Sequence, residues 1–200
     1  MAASEGGLRV HTTAGSGYSA GGNTMAFNIA PSEATNIFQG DVVKLVNDGT
    51  VVAMSAVTDT PVLGVFAGCE YTNSDGELVF SNKYTDTIAA EGTVAHVLVN
   101  PYQLYVVRIA NSDADTTLTQ TAIGLNYDIE FNAGNSTTGV SGMCLDSGTS
   151  GATSAANIRL VGLTNDDGTN DMDGTSSTTY THGIVMIDPN ISFWISGPGL

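Results

Sequence analysis

Residues 40–54 read GDVVKLVNDGTVVAM, and this stretch decides the fold class. Two apolar runs, 42–46 and 50–54, flank Asn47, Asp48 and Gly49, which are residue types that tight hairpin turns favour. An apolar run, an Asp-Gly turn and a second apolar run together form the strongest short-range hairpin signal in a single sequence. We therefore predict an antiparallel β-hairpin here and a β-rich protein around it.

Further strand-like segments lie on both sides of this hairpin, separated by turn residues. They are residues 25–29, 61–66, 70–71, 77–80, 94–99, 104–109, 124–131, 139–145, 157–163, 182–187 and 191–195. Gly64, inside the predicted strand at 61–66, indicates a bulge or a close backbone crossing. An acidic cap at Asp113 and Asp115 predicts one short helix before Gly124. The fold class that we predict is mainly β: a small β-barrel or β-sandwich with long loops, at most one short helix and an extended N-terminal arm.

The domain organisation follows from where small and polar residues collect. Residues 1–24 are rich in Gly, Ser, Ala and Thr, so we predict an N-terminal arm that is mobile or lies across a neighbouring surface. Residues 25–200 form a single domain of ordinary size. Its long loops are predicted at 132–138, 146–156 and 164–181.

The charge balance excludes several classes of partner. The chain has 5 Lys and Arg against 20 Asp and Glu, a formal charge of −15, and only 12% of its residues are charged. Nucleic acid binding needs clustered Lys and Arg, and the five here are scattered, so we expect no nucleic acid partner. The same charge opposes anionic lipid, and no apolar run approaches the roughly 18 residues of a membrane span. We expect other proteins as partners.

The two cysteines, Cys69 and Cys144, lie far apart without metal or redox spacing. We predict that both are reduced and buried, as in a protein made in the cytosol, and a disulfide is the alternative. The first residues show no basic segment followed by an apolar one, so we expect no secretory signal.

An acidic loop at residues 165–174 is the candidate metal site. Clustered carboxylates and carbonyls suit Ca²⁺, and the candidate ligands are Asp166, Asp167, Asp171 and Asp173. The loop departs from the EF-hand template, because Thr169 would stand at the first ligand position and Tyr180 where a bidentate Glu belongs. An ordinary solvated loop is the alternative interpretation.

Catalytic patterns are weak in this sequence. His11, His96 and His182 have no partner at ligand spacing, and no G-x-S-x-G nucleophile turn is present. Cys144 has no positive neighbour that would lower the pKa of its thiol. We therefore predict that the protein is not an enzyme and that it needs no cofactor.

The segment from Gly40 to Phe80 resembles a known family. GDVVKL at 40–45, DGTV at 48–51 and TPVLGVFAGCEY at 60–71 are similar to the small β-barrel decoration (cement) proteins of tailed-phage capsids, in particular those of marine and cyanobacterial phages. GLNYD at 124–128 and GVSGMCLD at 139–146 resemble the second half of that group. The similarity covers roughly residues 40–195, and its motifs are packing signatures. The length of residues 132–180 departs from the family.

The resemblance implies a structural virion protein. It would be made in the host cytoplasm, bind the outer surface of an icosahedral capsid, often as a trimer, and clamp neighbouring major capsid subunits. An arm and long loops add contact area, and multivalent contact over a lattice multiplies weak interfaces. The alternative is a virion-surface module that binds a glycan or receptor. The residues predicted to contact the capsid or a second protomer are Arg9, His11, Tyr18, Pro101, Tyr102 and Tyr105.

Overall fold

The protein is mainly β, as its sequence predicts: 51% of the residues lie in strands, and no helix in the described part of the chain reaches seven residues. A computed structural model describes residues 6–13, 23–30, 33–88, 92–112, 114–151, 157–164 and 180–195. The strands are β1 (Arg9–Thr13), β2 (Thr24–Asn28), β3 (Ile37–Phe38), β4 (Val42–Leu45), β5 (Val51–Ala53), β6 (Val62–Thr72), β7 (Leu78–Ser81), β8 (Lys83–Tyr84), β9 (Val94–Leu98), β10 (Gln103–Asn111), β11 (Ala114–Asp115), β12 (Asn126–Tyr127), β13 (Ile129–Glu130), β14 (Cys144–Asp146), β15 (Ile158–Thr164) and β16 (His182–Ile187).

Six strands form a small, nearly closed barrel. Their order is β2-β9-β6-β4-β5, and β7 pairs with the second half of β6. A parallel bridge between Ile29, just after β2, and Val51 of β5 brings the two ends of this sheet together. The barrel interior is filled by one apolar cluster: Ile29, Ile37, Val43, Val51, Leu63, Phe66, Cys69, Tyr84, Ala95, Val97 and Val99.

A second sheet of eight strands packs on one side of the barrel. Its order is β12-β15-β16-β10-β14-β13, and β1 and β11 also pair with the long strand β10. A larger apolar cluster joins the two sheets: Val42, Met54, Val62, Val65 and Leu98 come from the barrel, and Tyr105, Val107, Ile109, Leu145, Leu160 and Val185 are among those from the second sheet. The barrel wall therefore faces a core on both sides.

This double burial explains the unbroken apolar runs in the sequence. Val42 belongs to the cluster between the sheets, whereas its neighbour Val43 belongs to the barrel interior. A strand that is buried on both faces shows a continuous apolar run where a half-buried strand would alternate. Burying one such side chain contributes about 1.5–3 kcal/mol.

The hairpin predicted at 40–54 is confirmed. β4 and β5 pair antiparallel, with Val43 opposite Ala53 and Leu45 opposite Val51. Gly49 adopts a φ of +80°, which a residue with a Cβ rarely accepts. The carboxylate of Asp48 accepts hydrogen bonds from the backbone N–H and the hydroxyl of Thr50, and so fixes the turn.

The predicted arm has a described part and a part that lies outside the described residues. Arg9–Thr13 pairs with β10 of the same chain, with Arg9 opposite Val106 and Thr13 opposite Gln103. Leu8 is buried in the cluster between the sheets. Residues 6–13 therefore contribute to the core of their own domain.

Two local predictions were wrong. Asp115 does not cap a helix, because Ala114–Asp115 pairs with the end of β10, and the helical content nearby is a 3₁₀ turn at Gln120–Ala122. Residues 191–195 form turns with one isolated bridge, from Ser192 to Val62, in place of the predicted strand. Asp188 accepts a hydrogen bond from the backbone of Asn190, and the Ser192 hydroxyl accepts one from Trp194. Such local side-chain bonds compete with strand pairing.

We expect Gly64→Ala to lower the free energy of unfolding by about 1–3 kcal/mol, in the range of overpacked cores. A Cβ at Gly64 would lie 2.1 Å from the carbonyl oxygen of Leu98, where β6 crosses close to β9. Gly162→Ala is the matched strand control, since its Cβ would lie 3.4 Å from the Ile184 side chain. Urea unfolding measures both variants, and equal destabilisation would contradict the close crossing.

Candidate functional site

A buried carboxylate lies where the barrel meets the second sheet. Asp41, directly before β4, is 4% exposed. Its Oδ2 accepts a hydrogen bond of 2.7 Å from the backbone N–H of Phe38, and the Ser141 side chain also bonds to it. Desolvation by burial raises the pKa of Asp41 to about 6, and these two hydrogen bonds only partly oppose that rise.

Three chain segments meet at this carboxylate. The backbone N–H groups of Gly6 and Leu8 donate to the carbonyls of Ser141 and Gly40, respectively. Gly7 and Gly40 have φ values of +87° and +94°, and a Cβ on Gly40 would lie 3.1 Å from the Gly7 Cα. We call residues 6–8, 38–42 and 139–143 the Asp41 junction. Its two glycines allow the backbones to touch.

A cavity of about 440 Å³ lies beside the junction. Thr35, Ser55, Ala133 and Ser136 at its rim are exposed, so it opens to solvent. The residues that line it combine apolar and polar side chains: Thr35, Asn36, Phe38, Asp41, Ala53, Met54, Ser55, Phe131, Asn132, Ala133, Gly134, Ser136 and Met143. We call it the Asp41 cavity. Among the described residues that line it, Asp41 is the only one with an ionisable side chain.

The cavity can hold a small polar group by hydrogen bonding to one carboxylate and several amides and hydroxyls. Phe38 and Met54 are buried and Phe131 is partly buried, so the lining also offers apolar contact area. In the sequence, Asp41 stands directly before the apolar run at 42–46, and the strand pattern alone did not predict this site. The sequence signal that could have indicated this site is an acid directly before two adjacent valines, Val42 and Val43, since adjacent apolar residues are typical of a strand that is buried on both faces.

The predicted contact residues fall into different environments. Arg9 is exposed on β1, and His11 lies half-buried at the irregularity between Val10 and Thr12 of the same strand. Tyr102 is 55% exposed in the turn between β9 and β10, next to the partly buried Pro101. Tyr18 lies outside the described residues.

Tyr105 was wrongly predicted as a contact residue. It is 0% exposed and belongs to the cluster between the sheets, because it faces inward from β10. Burial raises the pKa of its hydroxyl. The side chain is therefore a core residue and offers no contact surface.

Exposed apolar side chains collect at the end of the molecule that carries the β9–β10 turn. Thr13 lies opposite Gln103, and the carbonyl of Asn23 accepts a hydrogen bond from Val99. The Trp194 indole donates a hydrogen bond of 2.9 Å to the carbonyl of Leu63, near the start of β6. We call this region the turn end, and its exposed apolar residues are Met25, Tyr102, Trp194 and Ile195.

Two smaller groups of exposed apolar residues lie elsewhere. Leu78 and Phe80 project from β7 on the outer barrel face, where the Phe80 ring lies 5.6 Å from the His96 ring. Ile123, Leu125 and Val161 lie near the β12–β15 edge of the second sheet. These three groups hold all the exposed large apolar side chains of the described residues.

Most of the basic side chains already have acceptors within the chain. Lys44 pairs with Asp59, Arg108 with Asp115 at 2.6 Å, and Arg159 with Asp188 at 3.1 Å. Lys83 donates to the carbonyl of Ser136. Within the described ranges, Arg9 is the exposed cation that forms no ion pair.

The metal prediction falls on residues that are not described. Asp166, Asp167, Asp171 and Asp173 all lie outside the described ranges. Among the residues that the structure does describe, no group of three His, Cys, Asp or Glu is placed to hold an ion. His96 lies 3.6 Å from the Glu70 carboxylate, and His182 bonds to the Thr181 hydroxyl at 3.0 Å.

Both cysteines are free and buried, as predicted. Burial raises the pKa of the Cys69 thiol to about 11. Burial, together with the charge of Glu130, raises the pKa of the Cys144 thiol to about 12. Neither thiol is a thiolate at neutral pH, so neither is an activated nucleophile.

Comparison with known proteins identifies no relative: no protein-family model, no curated protein and no solved structure matches the chain. Within the described residues, no helix has the length and hydropathy needed to cross a membrane.

We expect stability to fall as the pH rises through the pKa of Asp41. The folded-state pKa is about 6 and the ordinary value 3.8, a difference of 2.2, so the stabilisation present below pH 4 is lost above pH 6. The loss is about 2–3 kcal/mol at 1.36 kcal/mol per pKa unit. Asp41→Asn removes this component, whereas Asp48→Asn, at an exposed turn, retains it. Urea unfolding at pH 4 and pH 7.5 measures the difference, and parallel pH dependence of wild type and Asp41→Asn would contradict it.

We expect Cys69 and Cys144 to resist alkylation by iodoacetamide at pH 8 in the native protein and to react fully in urea. Both thiols are buried and their pKa values are raised, so the reactive thiolate is scarce. Mass spectrometry of the labelled protein counts the modified thiols. Labelling of the native protein at the rate of a free thiol would show that one of them is accessible.

Proposed function

We propose that this chain is a structural virion protein that binds the outer surface of an icosahedral phage capsid and cements neighbouring major capsid subunits. The observation that carries the proposal is the turn end, where Met25, Tyr102, Trp194 and Ile195 are exposed together. Interface centres are enriched in aromatic residues, Met and Arg. The proposal also rests on the resemblance of residues 40–80 to capsid decoration proteins.

The charge distribution supports a protein partner on an exterior surface. The chain carries a charge of −15, and three of its five basic side chains pair with acids of the same chain. Arg9, on β1, is an exposed cation that a partner carboxylate can pair with. A strongly acidic exterior also keeps particles apart and away from nucleic acid.

Assembly as a trimer belongs to the same proposal. Ile123, Leu125 and Val161 form a further exposed apolar group, at the β12–β15 edge of the second sheet. With two apolar groups, the turn end can contact the capsid while the group at the β12–β15 edge contacts a second copy of the chain. Several capsid contacts in one assembly raise the effective concentration of each.

Tyr102→Ala and Arg9→Ala should each weaken binding to capsids that lack the protein by about tenfold, because loss of an aromatic or Arg anchor removes more than about 1 kcal/mol. Leu78→Ala is the control, since Leu78 is 73% exposed on the outer barrel face. Co-pelleting with capsids over a concentration series gives the affinities.

Failure of the wild type to co-pellet with capsids would overturn the proposal. The proposal would also be overturned if particles without the protein withstood heat and low salt as well as complete particles do. Unchanged binding by Tyr102→Ala would remove the turn end as the contact surface, and unchanged binding by Arg9→Ala would remove the Arg9 contact.

One feature favours a second candidate, a virion-surface module that binds a glycan. Phe80 is 65% exposed, and its ring lies on the outer barrel face beside Gly68 and His96. A flat exposed ring with polar neighbours suits the apolar face of a sugar. A glycan array with wild type and Phe80→Ala decides: a glycan that binds the wild type alone would establish this function.

A further inference from the structure

We propose that the Asp41 cavity is a specificity pocket for one lysine side chain of a partner protein, with the ammonium group on the Asp41 carboxylate and the aliphatic stem along the apolar lining. The inference holds whether or not the partner is a capsid subunit. The cavity volume, about 440 Å³, lies within the roughly 300–1,000 Å³ of ligand pockets.

Among the residues that the structure describes, no cation pairs with the buried acid Asp41. It is 4% exposed, and it accepts hydrogen bonds from a backbone N–H and a serine side chain. A buried carboxylate loses much of its hydration, and a bound cation restores the lost stabilisation. Because folding has already desolvated Asp41, a cation that enters gains the attraction without the full desolvation of both partners. The same desolvation raises the pKa of Asp41 to about 6.

The carboxylate retains capacity for another donor. An ionised carboxylate has about four acceptor positions, and Phe38 and Ser141 use two of them. Asn132 donates its amide nitrogen to the Cys144 sulfur at 3.3 Å, which leaves the amide oxygen as a second acceptor in the lining. An ammonium has three donors, so Asp41, Asn132 and water can satisfy it.

The occupied positions on Asp41 favour lysine over arginine. A guanidinium binds a carboxylate best as a fork that engages both oxygens in parallel. The N–H of Phe38 already bonds to Oδ2 at 2.7 Å, so a guanidinium fork has to share that oxygen with it. A lysine ammonium is a compact point charge on a flexible four-carbon stem, and it needs only one free acceptor direction. Phe38, Met54, Phe131 and Met143 supply the apolar surface for that stem.

The other charged groups around the cavity are already engaged within the chain. Glu33 accepts a hydrogen bond from Thr35, Lys44 pairs with Asp59, and Lys83 donates to Ser136. Glu130, on β13 next to Phe131, accepts a long hydrogen bond of 3.7 Å from the Cys144 thiol. Glu33, Glu130 and Lys83 keep their charges, but these three do not line the cavity, so Asp41 is the charged side chain that a ligand in it can contact.

The test uses the whole protein and Nα-acetyl-lysine N-methylamide as the probe. Amide NMR titration at pH 7.5 should show saturable shifts at cavity residues, with a dissociation constant in the millimolar range, about −4 kcal/mol. The norleucine analogue, which keeps the stem without the charge, should bind at least tenfold more weakly. The arginine analogue should bind at least threefold more weakly than the lysine probe.

Two variants isolate Asp41 from the general negative charge. Asp41→Asn should weaken lysine binding at least tenfold, whereas Asp48→Asn, which removes the same charge from an exposed turn, should leave it unchanged. Thermal melting of each variant confirms that it is folded at the titration temperature. Lowering the pH from 7.5 to 5 should weaken binding to the wild type, because protonated Asp41 no longer attracts a cation.

Three results would overturn the proposal. They are equal affinity for the norleucine analogue, unchanged lysine binding by Asp41→Asn, and shifts that spread over the acidic surface without saturating. If Asp41→Asn does not fold, the comparison of the lysine and norleucine analogues on the wild type still decides. Capsid co-pelleting by a protein that shows no lysine binding would leave the proposed virion role intact and remove only this pocket.

Discussion

The hydrogen bonds of a single buried carboxylate tie three chain segments together at the point where the two sheets of this protein meet. Asp41 joins the end of β3 to the loop that leads into β14 through Phe38 and Ser141. The N-terminal residues 6–8 lie over the same point and bond to Gly40, Ser141 and Met143. Hydrogen bonds to a charged group contribute about 1.5–3 kcal/mol each, and removing one partner from a buried charge costs more. These bonds reinforce the joint between the barrel and the second sheet, which the apolar cluster between them holds together.

Local sequence signals predicted much of the barrel, because hairpins depend on residues that are close along the chain. The runs at 42–46 and 50–54 and the turn at Asp48-Gly49 specify β4 and β5 without any distant partner. Gly64 was correctly predicted to mark a close backbone crossing. The merging of residues 61–66 and 70–71 into one strand of 11 residues was not predicted, because β6 changes neighbours from β4 to β7 along its length. Such a change depends on distant pairing.

The candidate sites were harder to predict than the strands. Tyr105 looks like an exposed aromatic after a turn, yet Gln103 and Tyr105 both face the core, since β10 alternates from its first residue. Asp41 looks like a strand-opening residue, and its role emerges only when Ser141, a hundred positions later, reaches it. Local periodicity carries no information on a contact of that separation. The pairing of Lys44, Arg108 and Arg159 with acids of the same chain is hidden from the sequence for the same reason.

The hydrogen bond between Trp194 and Leu63 can form only late in the synthesis of the chain. β6 borders both cores, but its first residues are held by a segment about 130 positions later: Val62 bonds to Ile191, and Leu63 accepts from the Trp194 indole. A ribosome adds roughly 5–20 residues per second, so the backbone groups of Val62 and Leu63 wait on the order of ten seconds for their partners. Contacts of such long separation also slow folding. During that interval the start of β6 presents unpaired backbone groups, and the nascent chain is most exposed to mispairing with its neighbours on the same messenger.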